Sequence, residues 1–402
     1  MIEASTGLCP HFGECGGCES QDLSYPEQLV KKQQYLEQLF AQEWGKDVSV
    51  LPSPIVWNYR NKVDFNFGLK HYPEPPPKEF IRETLLGFTR RGEWFHPLDV
   101  TDCRIAPEGC GALLDAVRAW YRREGLRAVD ARGGQGFLRA LLVREGKRTG
   151  ERMVALFTSE GSWDARGFLE AVEASWPAHA IFHGIFTGAA RGTFADRTEH
   201  LAGADFIHEE MRVRDGAAER RLRYRVSPFS FFQTNTLAAE VLYAEIRQWV
   251  RGTGARILYD LYGGAGGIAF TCADLVQVVR SVESEASATA DGEHNATLNG
   301  IDNVFFSNDP MRRYLHGLAE AGGMESNSVA VVDPPRSGMT PKPVQRLIEC
   351  GPPRILYVSC KASALKEELA ALLKAYRLER LWAVDMFPHT PHVEVLASLE
   401  KR

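Results

Sequence analysis

Three side chains stand where a folded chain could bring them together for chemistry. Cys360 ends the apolar run 356–358, and a helix-compatible segment begins shortly after it. Most cysteines beside such runs pack in cores, but a thiol between a strand end and a helix N-terminus can ionise and act as a nucleophile. Asp333 follows another apolar run, and Glu394 precedes the last one, 395–399. The pattern therefore marks Cys360 and Asp333, which follow predicted strands, as candidates for a site beyond the strand ends.

The segment Asp333-Pro-Pro-Arg336 has its own signature. Two prolines stiffen a loop, which would project Asp333 and a backbone carbonyl outward to hold a planar base or polarise its edge. A plain proline turn is the alternative for this loop, and a surface charge is the alternative for Glu394.

A glycine-rich stretch follows the apolar run 257–261. Four glycines fall within residues 263–267, where the backbone can turn sharply and a flat ligand can lie against a helix N-terminus. The residues from Gly264 onward fit G-x-G-x-x-G/A, and Glu283 lies nineteen residues further on, where an acid would bind ribose hydroxyls. Nicotinamide dinucleotides and S-adenosylmethionine both carry a ribose, so a dehydrogenase, a methyltransferase and a mere tight turn stay open at this point.

The N-terminus carries a cluster of cysteines. Cys9, Cys15 and Cys18 form a C-x₅-C-x₂-C triplet, and Cys103 is the nearest candidate for a fourth ligand, with Cys110 as its competitor. Four thiolates would suit zinc or an iron–sulfur cluster. A triplet with one distant partner is closer in style to iron–sulfur ligation than two paired knuckles are, although zinc and unliganded thiols remain alternatives.

These residues need a scaffold, and the second half of the chain predicts an α/β one. Short apolar runs alternate with helical patterns, which indicates a doubly wound parallel sheet whose ligands bind beyond the carboxyl ends of the strands. The predicted strands after the glycine-rich stretch are 276–282, 304–307, 329–332 and 355–358, followed by two closing strands.

The first half predicts a mixed α/β module. We place the domain boundary at the aromatic, turn-like segment 227–235, which divides the chain into residues 1–225 and 226–402. The predicted elements are a helix at 24–44, antiparallel strands at 63–69 and 85–88, a helix at 111–125, and a hairpin from 136–144 and 153–158.

Composition limits the class of protein. The chain has 402 residues, 44% of them hydrophobic, a net charge of −5 and a pI near 6.2. It can bury a sizeable core, and a nucleic-acid surface would have to be local. No leader pattern or apolar run of membrane-spanning length is present, so we expect a cytoplasmic protein without membrane contact, and a monomer.

One local surface of that kind is predicted in the first half, where basic residues crowd together. They could bind RNA phosphates, or they could form an ordinary solvated face. They are Arg118, Arg122, Arg123, Arg127, Arg132, Arg139, Arg144, Lys147, Arg148 and Arg152.

Taken together, the motifs resemble the RNA 5-methyluridine (uracil-C5) methyltransferases. The resemblance covers nearly the whole chain in order. It rests on Asp-Leu-Tyr-Gly-Gly-x-Gly from residue 260, Asp333-Pro-Pro-Arg336, Ser359-Cys360, Met386-Phe-Pro-His-Thr-x-His-x-Glu394, Phe231-Phe-Gln-Thr-Asn235 and the N-terminal cysteine triplet.

The resemblance implies a class I S-adenosylmethionine methyltransferase domain, Rossmann-like, after an N-terminal iron–sulfur and RNA-recognition module. Cys360 would be the nucleophile and Glu394 the general base. The family pattern assigns Gln233, Tyr262, Gly264, Glu283 and Asp333 to the S-adenosylmethionine and uracil pocket, and Cys9, Cys15, Cys18 and Cys103 to a [4Fe–4S] cluster.

The chain departs from the family pattern in a few places. Tyr262-Gly-Gly264 stands where members commonly have Phe-Cys-Gly, and Lys361-Ala362 stands where Asn-Pro usually follows the nucleophile. Lys361 could itself lower the pKa of the thiol. The lack of room before Cys9 for the small RNA-binding barrel of longer members favours the short branch, which acts on 23S ribosomal RNA.

Other functions remain as alternatives. A uridine-54 methyltransferase of transfer RNA and a non-catalytic iron–sulfur RNA-binding protein both fit much of the pattern. Adenine N6-methylation is disfavoured because Arg336 stands where an aromatic residue would stack on adenine, and an NAD dehydrogenase would leave Cys360 and Glu394 unexplained.

Overall fold

The computed structural model describes residues 8–74, 80–130, 134–188, 195–216 and 218–402. The helices are α1 (Tyr25–Leu39), α2 (Cys110–Arg123), α3 (Ala165–Ser175), α4 (Thr236–Thr253), α5 (Gly267–Cys272), α6 (Ala286–Leu298), α7 (Met311–Glu320), α8 (Pro341–Cys350) and α9 (Ala362–Leu372). The strands are β1 (Ser49–Leu51), β2 (Lys62–Leu69), β3 (Thr84–Arg90), β4 (Glu93–Asp99), β5 (Leu138–Glu145), β6 (Arg152–Ser159), β7 (Ala180–Phe186), β8 (Arg197–Gly203), β9 (Ile207–Asp215), β10 (Ala218–Val226), β11 (Ile257–Leu261), β12 (Val278–Glu283), β13 (Val304–Asn308), β14 (Ser328–Val332), β15 (Arg354–Ser359), β16 (Tyr376–Val384) and β17 (Glu394–Lys401).

The chain forms two compact units. One comprises Met1–Asp22, Ile55–Glu209 and Val226–Phe229, and the other comprises Leu23–Pro54, Glu210–Arg225 and Ser230–Arg402. This differs from the predicted division at residue 225/226, because the segment that contains α1 and β1 belongs to the second unit.

Apolar burial and strand pairing explain why that segment joins the second unit. β1 pairs in parallel with β16, with Val50 opposite Ala383. Leu36 and Phe40 are buried in the same core as Tyr376 and Leu399. An N-terminal segment thus completes a core whose other members come from the end of the chain.

The second unit contains an eight-stranded sheet in the order β1-β16-β17-β15-β14-β11-β12-β13. Strands β11 to β15 pair in parallel, and β17 runs antiparallel to both β15 and β16. The chain passes from β11 outward to β12 and β13, then returns to the other side of β11 for β14. Ligands of doubly wound sheets bind at such a switch point, beyond the carboxyl ends of the strands.

The first unit is built on a seven-stranded mixed sheet in the order β4-β3-β2-β5-β6-β7-β8. The predicted antiparallel pairing of β2 with β3 and of β5 with β6 is present. Helices α2 and α3 contribute Trp120 and Phe168 to its core, where their rings lie 5.1 Å apart. Strands β9 and β10, which lie between β8 and β11 in the chain, form a separate two-stranded sheet.

Candidate active site

Two neighbouring strands bring Cys360 and Glu394 to the same edge of the sheet. β15 and β17 pair antiparallel, with Ser359 opposite Val395. Cys360 and Glu394 are the next residue along from this last pair, one on each side, and Glu394 is close enough to affect the pKa of Cys360. The two residues singled out for their chemistry are 34 positions apart in the sequence (394 − 360), but they lie near each other at this edge of the sheet.

Asp333 reaches the same edge from the next strand. The last residue of β14, Val332, pairs with Tyr357 of β15 on one side and with Leu261 of β11 on the other. The backbone N–H of Asp333 donates to the carbonyl of Leu261 at 3.2 Å. Asp333 thus lies between the glycine-rich loop after β11 and the thiol after β15.

The thiol of Cys360 is protonated in the free protein at neutral pH. Burial, and then the nearby Glu394 and Asp333, raise its pKa to about 11, while Arg336 acts in the opposite direction. The expectation of a thiolate favoured by a helix N-terminus was therefore wrong for the free protein, because desolvation outweighs the other effects. The cation that lowers this pKa is Arg336, not Lys361, which caps helix α9.

The two carboxyl groups also favour their neutral forms. Burial, and then the neighbouring Asp260, raise the pKa of Asp333 to about 7. Glu394 is only 3% exposed, and burial and Asp333 raise its pKa well above the ordinary value. Buried carboxyls that share one site cannot all ionise cheaply, and such perturbed groups are typical of catalytic sites.

The loop after β11 has the backbone conformation that its glycines predict. Gly264 and Gly266 have φ angles of 54° and 89°, in the left-handed region. Tyr262 adopts φ 66° although it is not glycine, a strained conformation of the kind that clusters at ligand sites. The N–H of Gly264 donates to Glu283 Oε2 at 3.1 Å, so Glu283 lies beside this loop.

A cleft opens above the loop, and it encloses about 420 Å³ of space that is continuous with solvent. Its lining residues are Tyr224, Phe231, Phe232, Gln233, Tyr243, Tyr262, Gly263, Gly264, Ala265, Gly267, Ile268 and Asp333. Gln233, Tyr262, Gly264 and Asp333 were predicted from the sequence, whereas Glu283 lies behind the loop rather than in the lining.

The segment before helix α4 forms one wall of this cleft. Asn235 accepts a hydrogen bond from Ala238 N at 3.1 Å and thereby caps the helix, and its side-chain amide donates to the carbonyl of Met386 at 3.0 Å. Phe231 remains 63% exposed although it lines the cleft. An aromatic ring held in water next to a ligand cleft is suited to stacking on a planar base.

Several residues of the site were not predicted individually. Tyr224 and Tyr243 line the cleft from β10 and α4, and neither belongs to a recognisable motif. Asp260 is fully buried below the loop, accepts from Ala269 N at 3.2 Å, and has a pKa that burial raises to about 7. Asp260 could have been found, since it opens the Asp-Leu-Tyr-Gly-Gly motif.

The N-terminal cysteines lie close together in the first unit. Burial raises the pKa of Cys18 to about 11 and that of Cys103 to about 12, and Cys9 contributes to both increases. Cys103 interacts with Cys18 and Cys9, whereas Cys110 interacts with Cys103. The N–H of Gly17 donates to the sulfur of Cys15 at 3.3 Å.

The proximity of the thiols does not amount to a formed metal site. Among the residues with described positions, no group of three or more histidine, cysteine or acidic side chains could hold a metal ion. The predicted [4Fe–4S] ligand set is thus supported as a cluster of neighbouring thiols, but not as a metal centre.

Five of the nine residues of the predicted basic surface that the structure describes form ion pairs with acidic neighbours. The ion pairs join Arg118 to Asp99 at 3.0 Å, Arg122 to Glu83 at 3.2 Å, Arg123 to Glu124 at 2.9 Å, and Lys147 and Arg152 to Glu145 at 2.5 and 3.4 Å. Arg132 lies outside the described residues. The ion pairs favour the interpretation of a solvated face for these members, whereas Arg127 is exposed and has no ion pair within the described part of the chain.

Comparison with known proteins identifies the class. A crystal structure of the Pyrococcus abyssi tRNA (uracil-54, C5)-methyltransferase in complex with S-adenosyl-L-homocysteine is similar to this chain with a TM-score of 0.73 and 28% identity, over 95% of this chain and 85% of that one. The fold is therefore that of a class I S-adenosylmethionine-dependent methyltransferase, as the sequence resemblance implied.

Sequence relatives identify the family. Residues 193–402 match the family model described as tRNA (uracil-5-)-methyltransferase. An uncharacterized RNA methyltransferase of Caldanaerobacter subterraneus is 31% identical over 98% of this chain and 84% of its own length. A tRNA (uracil(54)-C(5))-methyltransferase of Pyrococcus furiosus is also 31% identical, over 98% and 85%. The chain belongs to the tRNA (uracil-5-)-methyltransferase family and is an RNA uracil-5-methyltransferase.

Helix length and polarity bear on the expectation about membranes. Within the described ranges, every helix is too short or too polar to span a bilayer.

Proposed function

We propose that this protein methylates C5 of a uridine in transfer RNA through a covalent bond between Cys360 and C6 of the base, and that Glu394 resolves this adduct. The observation that carries the proposal is the pairing of Ser359 with Val395, which brings the adjacent Cys360 and Glu394 to the same edge of the sheet. A nucleophile and a base on opposite strands at one edge could act on adjacent carbon atoms of the same ring.

The residue types follow from the chemistry of uracil. C5 is a poor nucleophile until the sulfur of Cys360 bonds to C6, which leaves the electron pair on C5. S-adenosylmethionine supplies the methyl group that C5 takes up. Glu394 then removes the remaining C5 proton, the C5–C6 double bond forms again, and Cys360 leaves as the thiolate. Because burial raises the pKa of Glu394, its ionised form is a stronger base than an exposed glutamate.

The composition of the cleft suits the methyl donor. Glycine backbone and aromatic side chains line a space of about 420 Å³, and Gln233, Tyr262, Gly264 and Asp333 would hold the donor there. Glu283 would act beside Gly264, whose N–H already binds its carboxylate. A paired uridine could not present C6 to Cys360, so the base must be unpaired or flipped out.

Transfer RNA is the first substrate to test. Three of the similar proteins, all from Pyrococcus, are named as uridine-54 methyltransferases of transfer RNA. The preference for 23S ribosomal RNA stays a prediction. Mapping 5-methyluridine in both RNAs from cells with and without the protein would distinguish them.

We further propose that Cys9, Cys15, Cys18 and Cys103 hold a [4Fe–4S] cluster. The donor set is suitable, since four neighbouring thiols supply soft ligands. The purified protein should contain iron and sulfide in equal amounts. Cys103→Ser should lose both, while Cys110→Ser should retain them. Stoichiometric zinc without sulfide would refute the cluster.

The catalytic assignment is tested by two substitutions with opposite results. Cys360→Ala should abolish methyl transfer and form no adduct. Glu394→Gln should retain a methylated RNA on the protein that survives denaturing electrophoresis, and Cys360→Ala in the same chain should remove it. Methylation by Cys360→Ala, or an adduct in the double variant, would show that Cys360 is not the nucleophile. RNA binding without methyl transfer in the unaltered protein would favour the non-catalytic alternative.

A further inference from the structure

Helix α1 buries polar side chains where an amphipathic helix would be expected to bury apolar ones. Gln28, Lys32 and Leu36 are 2%, 5% and 0% exposed, respectively. They are spaced by four residues and therefore share one face of the helix. Two of the three members of this inward stripe are thus residues that are normally exposed.

Both polar side chains are directed at one loop, residues 385–393, which connects β16 to β17. Lys32 Nζ donates to Asp385 Oδ1 at 2.6 Å and to the carbonyl of Phe387 at 3.1 Å. Gln28 Oε1 accepts from the backbone N–H of His389 at 2.8 Å, and Gln28 Nε2 lies 3.1 Å from His389 Nδ1. One helix thus makes four polar contacts along five residues of the loop.

The conformation of the loop requires such support. His389 has a φ angle of 67°, and a residue other than glycine keeps this left-handed conformation only where the surrounding structure holds it there. The contacts from Gln28 and Lys32 fall on this residue and on those just before it. The loop ends at Glu394, the first residue of β17, so its path determines where the carboxyl group begins.

Stability alone does not account for these residue types. A buried ion pair often contributes no more than a well-packed apolar pair, because both charges lose their hydration. Burial indeed lowers the pKa of Lys32 in spite of the neighbouring Asp385. Directional contacts specify the path of a loop, which apolar packing does much less strictly.

We propose that Gln28 and Lys32 are positioning residues for the methyl-transfer reaction, which hold loop 385–393 so that Glu394 stands near Cys360. This inference rests on the proposed roles of Cys360 and Glu394. It predicts a specific defect, since loss of the support should impair the step that needs Glu394 more than the formation of the adduct.

The test compares buried and exposed substitutions on the same helix. Gln28→Leu and Lys32→Met are paired with Gln34→Leu and Lys31→Met, whose side chains are exposed. With transcribed transfer RNA and S-adenosylmethionine, the buried variants should resolve the adduct about 10- to 100-fold more slowly, the effect expected for a misplacement of about 1 Å. The adduct should accumulate on denaturing gels, and the exposed variants should stay within twofold of the unaltered protein.

A second variant separates positioning from folding. Lys32→Met leaves Asp385 buried without its cation, so Lys32→Met with Asp385→Leu removes both charges and should unfold near the temperature of the unaltered protein. This double variant should still accumulate the adduct. Resolution at the normal rate in folded Gln28→Leu and in the double variant would overturn the inference, as would a loss of activity without accumulation.

Parallel reactions distinguish this inference from the catalytic proposal. If Glu394→Gln accumulates an adduct and the helix variants do not, the positioning role is wrong while the catalytic roles stand. If Glu394→Gln forms no adduct and Cys360→Ala still methylates RNA, the catalytic proposal itself fails.

Discussion

The protonation of Cys360 yields a prediction that can be worked out from the structure. A pKa of about 11 leaves about one molecule in a thousand as thiolate at pH 8, whereas an unperturbed cysteine with a pKa of about 8.5 is about one quarter ionised. The thiolate is therefore about 240-fold rarer. Because a thiolate of higher pKa is intrinsically about tenfold more nucleophilic, alkylation of Cys360 should be about 20-fold slower than that of a free cysteine peptide.

The assay alkylates the free protein with iodoacetamide between pH 7 and pH 10 and follows the peptide that contains Cys360 by mass spectrometry. Only the thiolate reacts, so the rate should rise about tenfold per pH unit without reaching a plateau. Because each peptide is measured separately, alkylation of Cys360 is distinguished from that of the other seven cysteines. Buried Cys272, which belongs to the same unit, serves as the internal control for loss of the folded state at high pH.

The Arg336→Gln variant provides the matching perturbation. Arg336 lowers the pKa of Cys360, so its removal should raise that pKa and slow alkylation at every pH below it. A plateau below about pH 9 in the unaltered protein would refute the reasoning that burial and the two carboxyls keep the thiol protonated. Faster alkylation in Arg336→Gln would refute the assigned direction of its effect.

Two further predictions concern stability and RNA binding. Asp260 has a pKa of about 7 in the folded protein against about 3.9 when unfolded, so its contribution to stability is lost as pH rises from about 4 to 7. In thermal melts at pH 7.5, Asp260→Asn should therefore unfold at a higher temperature than the unaltered protein. The gain in the free energy of unfolding should be at most about 4 kcal/mol, and the difference should close near pH 4. If Arg127 contacts phosphate, Arg127→Gln should reduce the slope of log affinity for RNA against log salt concentration by up to about 1. Arg122→Gln removes a paired cation and should change this slope less. Equal slopes in the two variants and the unaltered protein would show that Arg127 belongs to an ordinary solvated face.

The sheet and the location of the site could be predicted because both rest on local patterns. Apolar runs separated by helical spacing predict parallel strands, and residues just after such strands must meet at one edge. Asp333 and Cys360 follow from this rule directly. Glu394 follows only with a further fact, the antiparallel direction of β17, which brings the start of that strand to the edge where the others end.

The remaining features depend on contacts between distant parts of the chain. The helical pattern at 24–44 predicts a helix, but nothing in it shows that Gln28 and Lys32 would be buried against loop 385–393, more than 350 residues away. The pKa of Cys360 likewise depends on how many atoms cover the thiol. A helix N-terminus is visible in the sequence, whereas the desolvation that outweighs it is a property of the packed site.

The protonation states at this edge have a consequence for the order of events. Burial raises the pKa of Cys360, Asp333 and Glu394. The free protein therefore favours the protonated forms of the Cys360 thiol and of Glu394, while Asp333, with a pKa of about 7, is partly ionised near neutral pH. Formation of the adduct releases the thiol proton, and its resolution needs an ionised carboxylate to take up the C5 proton. A proton passed from Cys360 to Glu394 would therefore leave Glu394 unable to act as the base. The thiol proton must therefore leave the site before resolution, and Arg336, the cation that stabilises the thiolate, lies on the exposed side of the site beside His392 at 3.1 Å. The test is the solvent isotope effect on the rate of adduct formation. An effect that is present in the unaltered protein and disappears in Arg336→Gln at high pH would support release of the proton to water along this side. An isotope effect on adduct resolution alone would contradict it.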